Sequence, residues 1–235
     1  MIAAPCVRRN LVGTRMESMS GPVSLADLSS FSFHKNPVLL VENFWSKEER
    51  QFFREGMHQA AWKSLSDLPK VRENFPNSGN WAKAEIDRVQ GQHLMSRLQL
   101  PCIESYMESF PDIVGRHVGF SYYSYAEGDC LLTHDDTDQG YAVEGVAAPR
   151  RRLAMVSYFH DEWQSDWGGE LIIYRKREGH ASDQPDLEVA HCIMPRPGSL
   201  VMFTVPRFHR VCRVDQVAGE HRRLSTAGWF MTEHS

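Results

Sequence analysis

Five cysteines in 235 residues (Cys6, Cys102, Cys130, Cys192, Cys212) are too scattered, and odd in number, for a disulfide framework. No CxxC pair offers a structural zinc site either, so they read as reduced thiols and a cytoplasmic location is expected. No apolar run approaches the roughly 20 residues of a membrane-spanning helix, and no membrane partner is expected. The opening stretch MIAAPCVRRNLVGTR carries arginines but no apolar core for a signal peptide, and reads as a flexible tail over about residues 1–22. A formal charge of −4 withholds the broad attraction to phosphate that a nucleic-acid partner needs. One basic run, Arg150-Arg151-Arg152, interrupts that balance and reads as a solvated face. No internal repeat or low-complexity segment appears, and nothing in the sequence fixes an oligomeric state.

What remains is the composition of a globular protein long enough for one sizeable core, here assigned to residues 23–235. Its first half, about 23–118, has a helical pattern. Ser46-Lys47-Glu48-Glu49 has capping-box spacing, and Phe52, Phe53, Met57, Ala60 and Ala61 follow at helical intervals. Further helices are expected from about Lys83 to Leu98 and from Ile103 to Phe110, with PKVRENFPNSGNW a loop before them. From about 119 to 231 the pattern changes. FSYYSYAE, CLLTHDD, LAMVSYFH, GELIIYRK, LEVAHCIM, SLVMFTV, HRVCRVDQV and RRLSTAGWFM are short β-rich runs, many bounded by Gly, Pro or Asp. About eight strands with no helical pattern between them predict an antiparallel sandwich or barrel. The fold class is therefore mainly β with α support.

The stretch LLTHDD places a histidine and two aspartates after an apolar run. If the run stays extended, His134 and Asp136 share one face and Asp135 turns aside. Two ligands do not make a metal site. His209, after the apolar strand Leu200–Val205, supplies a candidate third, and two imidazoles with one carboxylate suit a non-heme Fe(II) centre with open positions. His160-Asp161-Glu162 is a rival HxE. The two candidates differ in what accompanies them. On a strand, Arg223 and Ser225 of RRLSTAGW face one way, and a buried arginine there would need an anion, ideally a carboxylate gripped by its planar fork.

Together these segments resemble the Fe(II)/2-oxoglutarate-dependent dioxygenases, in particular their prolyl-hydroxylase-like branch. The resemblance covers about residues 120–230. It runs through Tyr125-x-x-Gly128, His134-x-Asp136, Val156-Ser157-Tyr158-Phe159 and Trp167-Gly168-Gly169-Glu170-Leu171. It continues with Pro197-Gly198-Ser199-Leu200-Val201-Met202-Phe203, Phe208-His209-x-Val211 and Arg223-x-Ser225.

The resemblance implies a double-stranded β-helix (jelly-roll) core. It implies His134, Asp136 and His209 as iron ligands, Arg223 as the partner of the C5 carboxylate of 2-oxoglutarate, and Ser225, Tyr158 and Tyr125 around that co-substrate. It further implies Fe(II), with 2-oxoglutarate and O2 as co-substrates and ascorbate as an optional reductant. His160 stands where many relatives carry asparagine. The expected reaction is hydroxylation of an unactivated C–H bond, coupled to decarboxylation of 2-oxoglutarate to succinate and CO2. A compact, amino-acid-like substrate is narrowly favoured over a peptidyl proline of a protein, and residues 137–152 are read as a lid or substrate-facing loop. Two other classes compete: a non-catalytic metal- or sugar-binding β-sandwich module, which would need no arginine clamp, and a zinc hydrolase, for which no general base is evident near the ligands.

Overall fold

In the computed structural model the described residues are 37–110, 113–137, 150–177 and 185–232; the expected tail and residues 138–149 of the expected lid lie outside them. After strand β1 (Val38–Val41), helix α1 (Lys47–Gln59) starts at the expected capping box. The Ser46 hydroxyl accepts from Glu49 N, and the Glu49 carboxylate accepts from Ser46 N, so two otherwise orphaned donors are satisfied. Phe53 and Met57 are buried from its inner face. No described helix is long and apolar enough to cross a membrane.

The next stretch departs from the sequence-based expectation in three places. PKVREN is helix α2 (Pro69–Asn74), not loop, with Pro69 in the first turn, where its missing N–H costs nothing. A short strand β2 (Lys63–Ser64) precedes it. Ala82–Glu85 is strand β3, not the start of a helix, because helix α3 (Arg88–Arg97) begins only at Asp87, whose carboxylate caps Val89 N and Gln90 N. Helix α4 (Pro101–Glu108) begins two residues earlier than expected, again with proline in its first turn.

The eight β-rich runs all contain strands: β4 (Ile113–Tyr125), β5 (Leu131–His134), β6 (Arg151–Tyr158), β7 (Leu171–Lys176), β8 (Leu187–Ile193), β9 (Leu200–Thr204), β10 (His209–Val211) and β11 (Arg223–Thr232). They form two antiparallel sheets. One has the order β1-β9-β6-β11-β4-β3-β2, the other β5-β10-β7-β8. This is the jelly roll expected from the resemblance.

Helices α1, α3 and α4 bury Phe53, Leu94, Ile103 and Tyr106 against one face of the larger sheet, in a cluster with Tyr122, Met155, Met202 and Phe230. Its other face meets the smaller sheet through Tyr158, Val201 and Phe203 packed with Leu171, Ile173 and Ile193. Alternation along each strand thus divides helix-facing from cavity-facing side chains. The mouth between the sheets, where this inner layer ends, is the site.

Candidate active site

His134 ends β5 and His209 begins β10, and the two are direct partners across the antiparallel pair. Each imidazole is oriented in the same way. Nδ1 of His134 lies 2.7 Å from the carbonyl of Leu132, and Nδ1 of His209 lies 2.8 Å from that of Arg207. A carbonyl only accepts, so each Nδ1 carries the proton and each Nε2 of a neutral ring presents a lone pair.

Both Nε2 atoms lie beside Asp136. His134 Nε2 is 3.2 Å from Oδ1 and His209 Nε2 is 3.4 Å from Oδ2. The buried Asp136 does not sit on the strand. Its φ is +59°, a left-handed turn just beyond β5, and this turn brings it beside His134. The expected convergence is therefore present, but not through the expected strand alternation. Asp135 is turned aside and caps Thr137 N.

Burial would raise the Asp136 carboxyl, but the His134 contact, the two imidazoles and the Trp229 hydrogen bond hold it at about 2. Burial, reinforced by His134, pulls His209 down to about 4 despite the Asp136 charge. The result is one carboxylate and two imidazole lone pairs with their ligand atoms all within 4.8 Å of one another. A carboxylate and two imidazole Nε2 atoms gathered this closely offer a cation three ligand atoms at once. This donor set fits Fe(II).

Asp136 is braced from the larger sheet. Trp229 Nε1 donates to its Oδ2 at 2.7 Å, and Arg151 approaches Oδ1 at 3.9 Å while its guanidinium lies 3.7 Å over the Trp229 ring. The basic run is thus not the solvated face the sequence suggested. Arg151 and Arg152 are half-buried, the latter over Phe110, and only Arg150 is exposed. Phe75 and Phe203 pack edge-on against His134 and His209.

Deeper in the same cavity, of about 910 Å³, lie Arg223, Ser225 and Tyr125. Arg223 is 1% exposed. Nε donates to the Gly169 carbonyl at 2.8 Å, Nη2 to the Tyr158 hydroxyl at 3.3 Å and Nη1 to Ser225 Oγ at 3.5 Å. Its guanidinium also stands over the Tyr158 and Tyr125 rings, at 4.8 and 5.3 Å. Gly169 sits at φ +70°, and a Cβ there would crowd Arg223 Cδ at 3.0 Å. Among the described residues no carboxylate pairs with this arginine, and a buried cation in that condition costs several kcal/mol until an anion arrives.

Tyr158 is not one of the cavity walls; it acts on the site by positioning Arg223. Tyr125 lines the cavity, stacked on Trp81 at 5.9 Å. Burial raises both phenols, so they stay neutral donors.

His160 takes the structural role. It is buried at the end of β6, where Nδ1 accepts from Leu224 N at 3.2 Å and Nε2 donates to the Pro195 carbonyl at 2.7 Å. Burial depresses it to about 4. The walls that sequence reasoning missed come from the first half: Leu68, Val71 and Phe75 at α2, then Trp81 and Lys83. The only signal in the sequence was the aromatic and apolar content of a stretch otherwise rich in turn formers.

Two stacked antiparallel sheets with a two-histidine, one-carboxylate set at their mouth and a buried arginine behind it define a class. Residues 120–231 match the family model of the 2OG-Fe(II) oxygenase superfamily. Over that stretch, just under half of its length, the chain is similar to that superfamily, and its sequence relatives are prolyl-hydroxylase-like.

Prolyl 3-hydroxylase OGFOD1 of Mus musculus is 34% identical over 197 residues, 81% of this chain and 32% of that protein, so the chain spans about a third of that relative's length. A Pseudomonas putida prolyl-4-hydroxylase structure aligns with a TM-score of 0.54 at 18% identity, covering 88% of this chain and 96% of that one. HygX from Streptomyces hygroscopicus, with nickel and 2-oxoglutarate bound, aligns at 0.54 and 11% identity over 90% and 88% of the two chains. At such identities these two structures speak to the fold alone.

Proposed function

We propose that the protein is a 2-oxoglutarate-dependent hydroxylase whose substrate is a prolyl residue of a peptide or protein chain. The observation that carries this is the single cavity holding both a cation-demanding His134–Asp136–His209 set and an arginine, Arg223, that demands an anion. A metal-binding or sugar-binding module has no use for the second, and a hydrolase has none for the pair. Support for a peptidyl proline over the compact amino-acid-like substrate comes from the relative named as a prolyl 3-hydroxylase. The position of the hydroxylated carbon is left to experiment.

His134, Asp136 and His209 would hold the metal. Bound there with its co-substrates, Fe(II) supplies the oxidation that replaces C–H by C–OH and yields succinate and CO2. The chain's own contribution is placement. Arg223 would pair with the far carboxylate of 2-oxoglutarate, with Ser225 and Tyr158 holding the guanidinium and Tyr125 with Trp81 keeping that end dry. Asp136 is held ionised, ready to face a cation.

The test is succinate release from Fe(II), 2-oxoglutarate and oxygen, with and without proline-containing peptides, free proline and other free amino acids. A gain of one oxygen on a peptidyl proline supports the reading. Stimulation by free amino acids alone would replace it with the compact-substrate reading.

A further inference from the structure

Arg223 and the metal set, with the Arg151 that braces Asp136, account for two polar regions of the cavity, and Lys83 belongs to neither. Lys83 on β3 faces the cavity, because its neighbour Ala84 packs into the helix-side core. It is paired across the sheet with Tyr123, which is paired in turn with Ser225, so one row of side chains runs from Lys83 towards the co-substrate end.

The Lys83 ammonium stands 5.7 Å from the Tyr123 ring centre. Burial and the positive charge of Arg151 both pull its pKa below the ordinary lysine value, with Glu85 opposing weakly. Among the described residues no carboxylate lies within ion-pair distance of it. Arg151 lines the same cavity and reaches Asp136 at 3.9 Å, so the cationic wall abuts the metal set. Arg151 already faces Asp136, so Lys83 is the cation of this wall without a carboxylate among the described residues. An anion beside it would lower the cost of its burial. A bare surface lysine would instead extend its flexible stem into water.

We propose that Lys83 and Arg151 form a receptor for a substrate carboxylate close to the carbon that is hydroxylated. The inference rests on the hydroxylase reading and sharpens its substrate class. The carboxylate belongs either to an Asp or Glu beside the proline or to the proline's own chain end.

Binding without turnover separates the possibilities. With Mn(II) and 2-oxoglutarate on the full chain, fluorescent peptides with an internal proline flanked by Glu, Gln or Lys are titrated. Peptides ending in proline, as free acid or amide, are titrated beside them. A Glu peptide or a free-acid peptide should bind about tenfold more tightly than its neutral counterpart, the size of a partly desolvated ion pair. Preference for internal Glu assigns the carboxylate to a side chain; preference for the free acid assigns it to a chain end.

In Lys83→Met the preference should collapse, and in Lys83→Glu it should turn towards the Lys peptide, both in protein whose cooperative thermal melt shows a folded chain. Equal binding of charged and neutral peptides, no measurable binding of any, or a preference that survives Lys83→Met overturns the inference. Aerobic Fe(II) assays with the same peptides keep the two readings apart. Proline hydroxylation without charge preference sinks the receptor alone, while a Lys83-dependent preference with no hydroxylation of any proline sinks the prolyl reading alone.

Discussion

Trp229 Nε1 donates a 2.7 Å hydrogen bond to Asp136 Oδ2, so a strand of the larger sheet orients a carboxylate that lies just beyond β5 of the smaller one. Asp136 needs this brace because it follows β5 in a left-handed turn, where no ladder hydrogen bond fixes its direction. Partners of this kind set ligand geometry, and losing one typically lowers metal affinity about 10- to 100-fold. Trp229→Phe keeps a ring beneath Arg151 and removes only the donor. Anaerobic titration with Fe(II) or Mn(II) should show that loss while the thermal melt barely moves; unchanged affinity would mean the bond is incidental.

Alanine at His134, Asp136 or His209 should abolish both stoichiometric Fe(II) binding and 2-oxoglutarate decarboxylation. His160→Ala should retain iron, since both of its ring nitrogens serve the backbone. Iron retained by any of the first three variants would remove that residue from the ligand set.

Arg223 separates stability from function. Replacing a buried cation that lacks a carboxylate by an apolar side chain of similar length is often neutral or stabilising. Arg223→Met should therefore melt no lower than the parent without ligand, yet lose about 2–5 kcal/mol of 2-oxoglutarate binding. Calorimetric titration with Mn(II) present checks this. Undiminished affinity would place the carboxylate anchor elsewhere.

His160 gives a pH signature. Its folded pKa of about 4 lies below the ordinary value of 6.5. Above about pH 6.5 it is neutral in both states and contributes no slope. As pH falls through that value towards 4, the unfolded chain takes up a proton that the folded chain excludes, so stability falls, by on the order of 2 kcal/mol at pH 5. Asparagine can still accept from Leu224 N without titrating. Urea unfolding of metal-free protein at pH 7 and pH 5 should show a smaller loss for His160→Asn than for the parent. An equal loss in both would mean that His160 is not excluded from protonation in the fold.

The eight strands, and the convergence of His134, Asp136 and His209, were legible because each rests on a local pattern: β-rich runs between breakers, an HxD, a histidine after an apolar strand. Arg223 was legible through its two-residue spacing from Ser225. Other features were not, because they depend on what the chain meets after folding. Ala82–Glu85 has helix-compatible composition and becomes β3 only because β4 offers it an edge. Arg151 looked solvated because nothing near it in sequence foretells the Trp229 ring. Asp136 meets His134 through a left-handed turn rather than along an extended strand. Lys83 and Phe75 went unassigned because their role exists only where the first half of the chain walls the cavity of the second.

The direct pairing of His209 with His134 would make any metal held by both a register pin. β5 and β10 are short strands, of 4 and 3 residues, and their pairing already contains an irregularity beyond His209. Slipping one strand by a single residue would turn its histidine to the opposite face. A metal gripping both imidazoles would forbid that slip, and each tenfold excess of metal over its dissociation constant adds about 1.4 kcal/mol against opening of this sheet. Chelation should then accelerate amide exchange at 131–134 and 209–211 well before it does so in β4, β6 and β11.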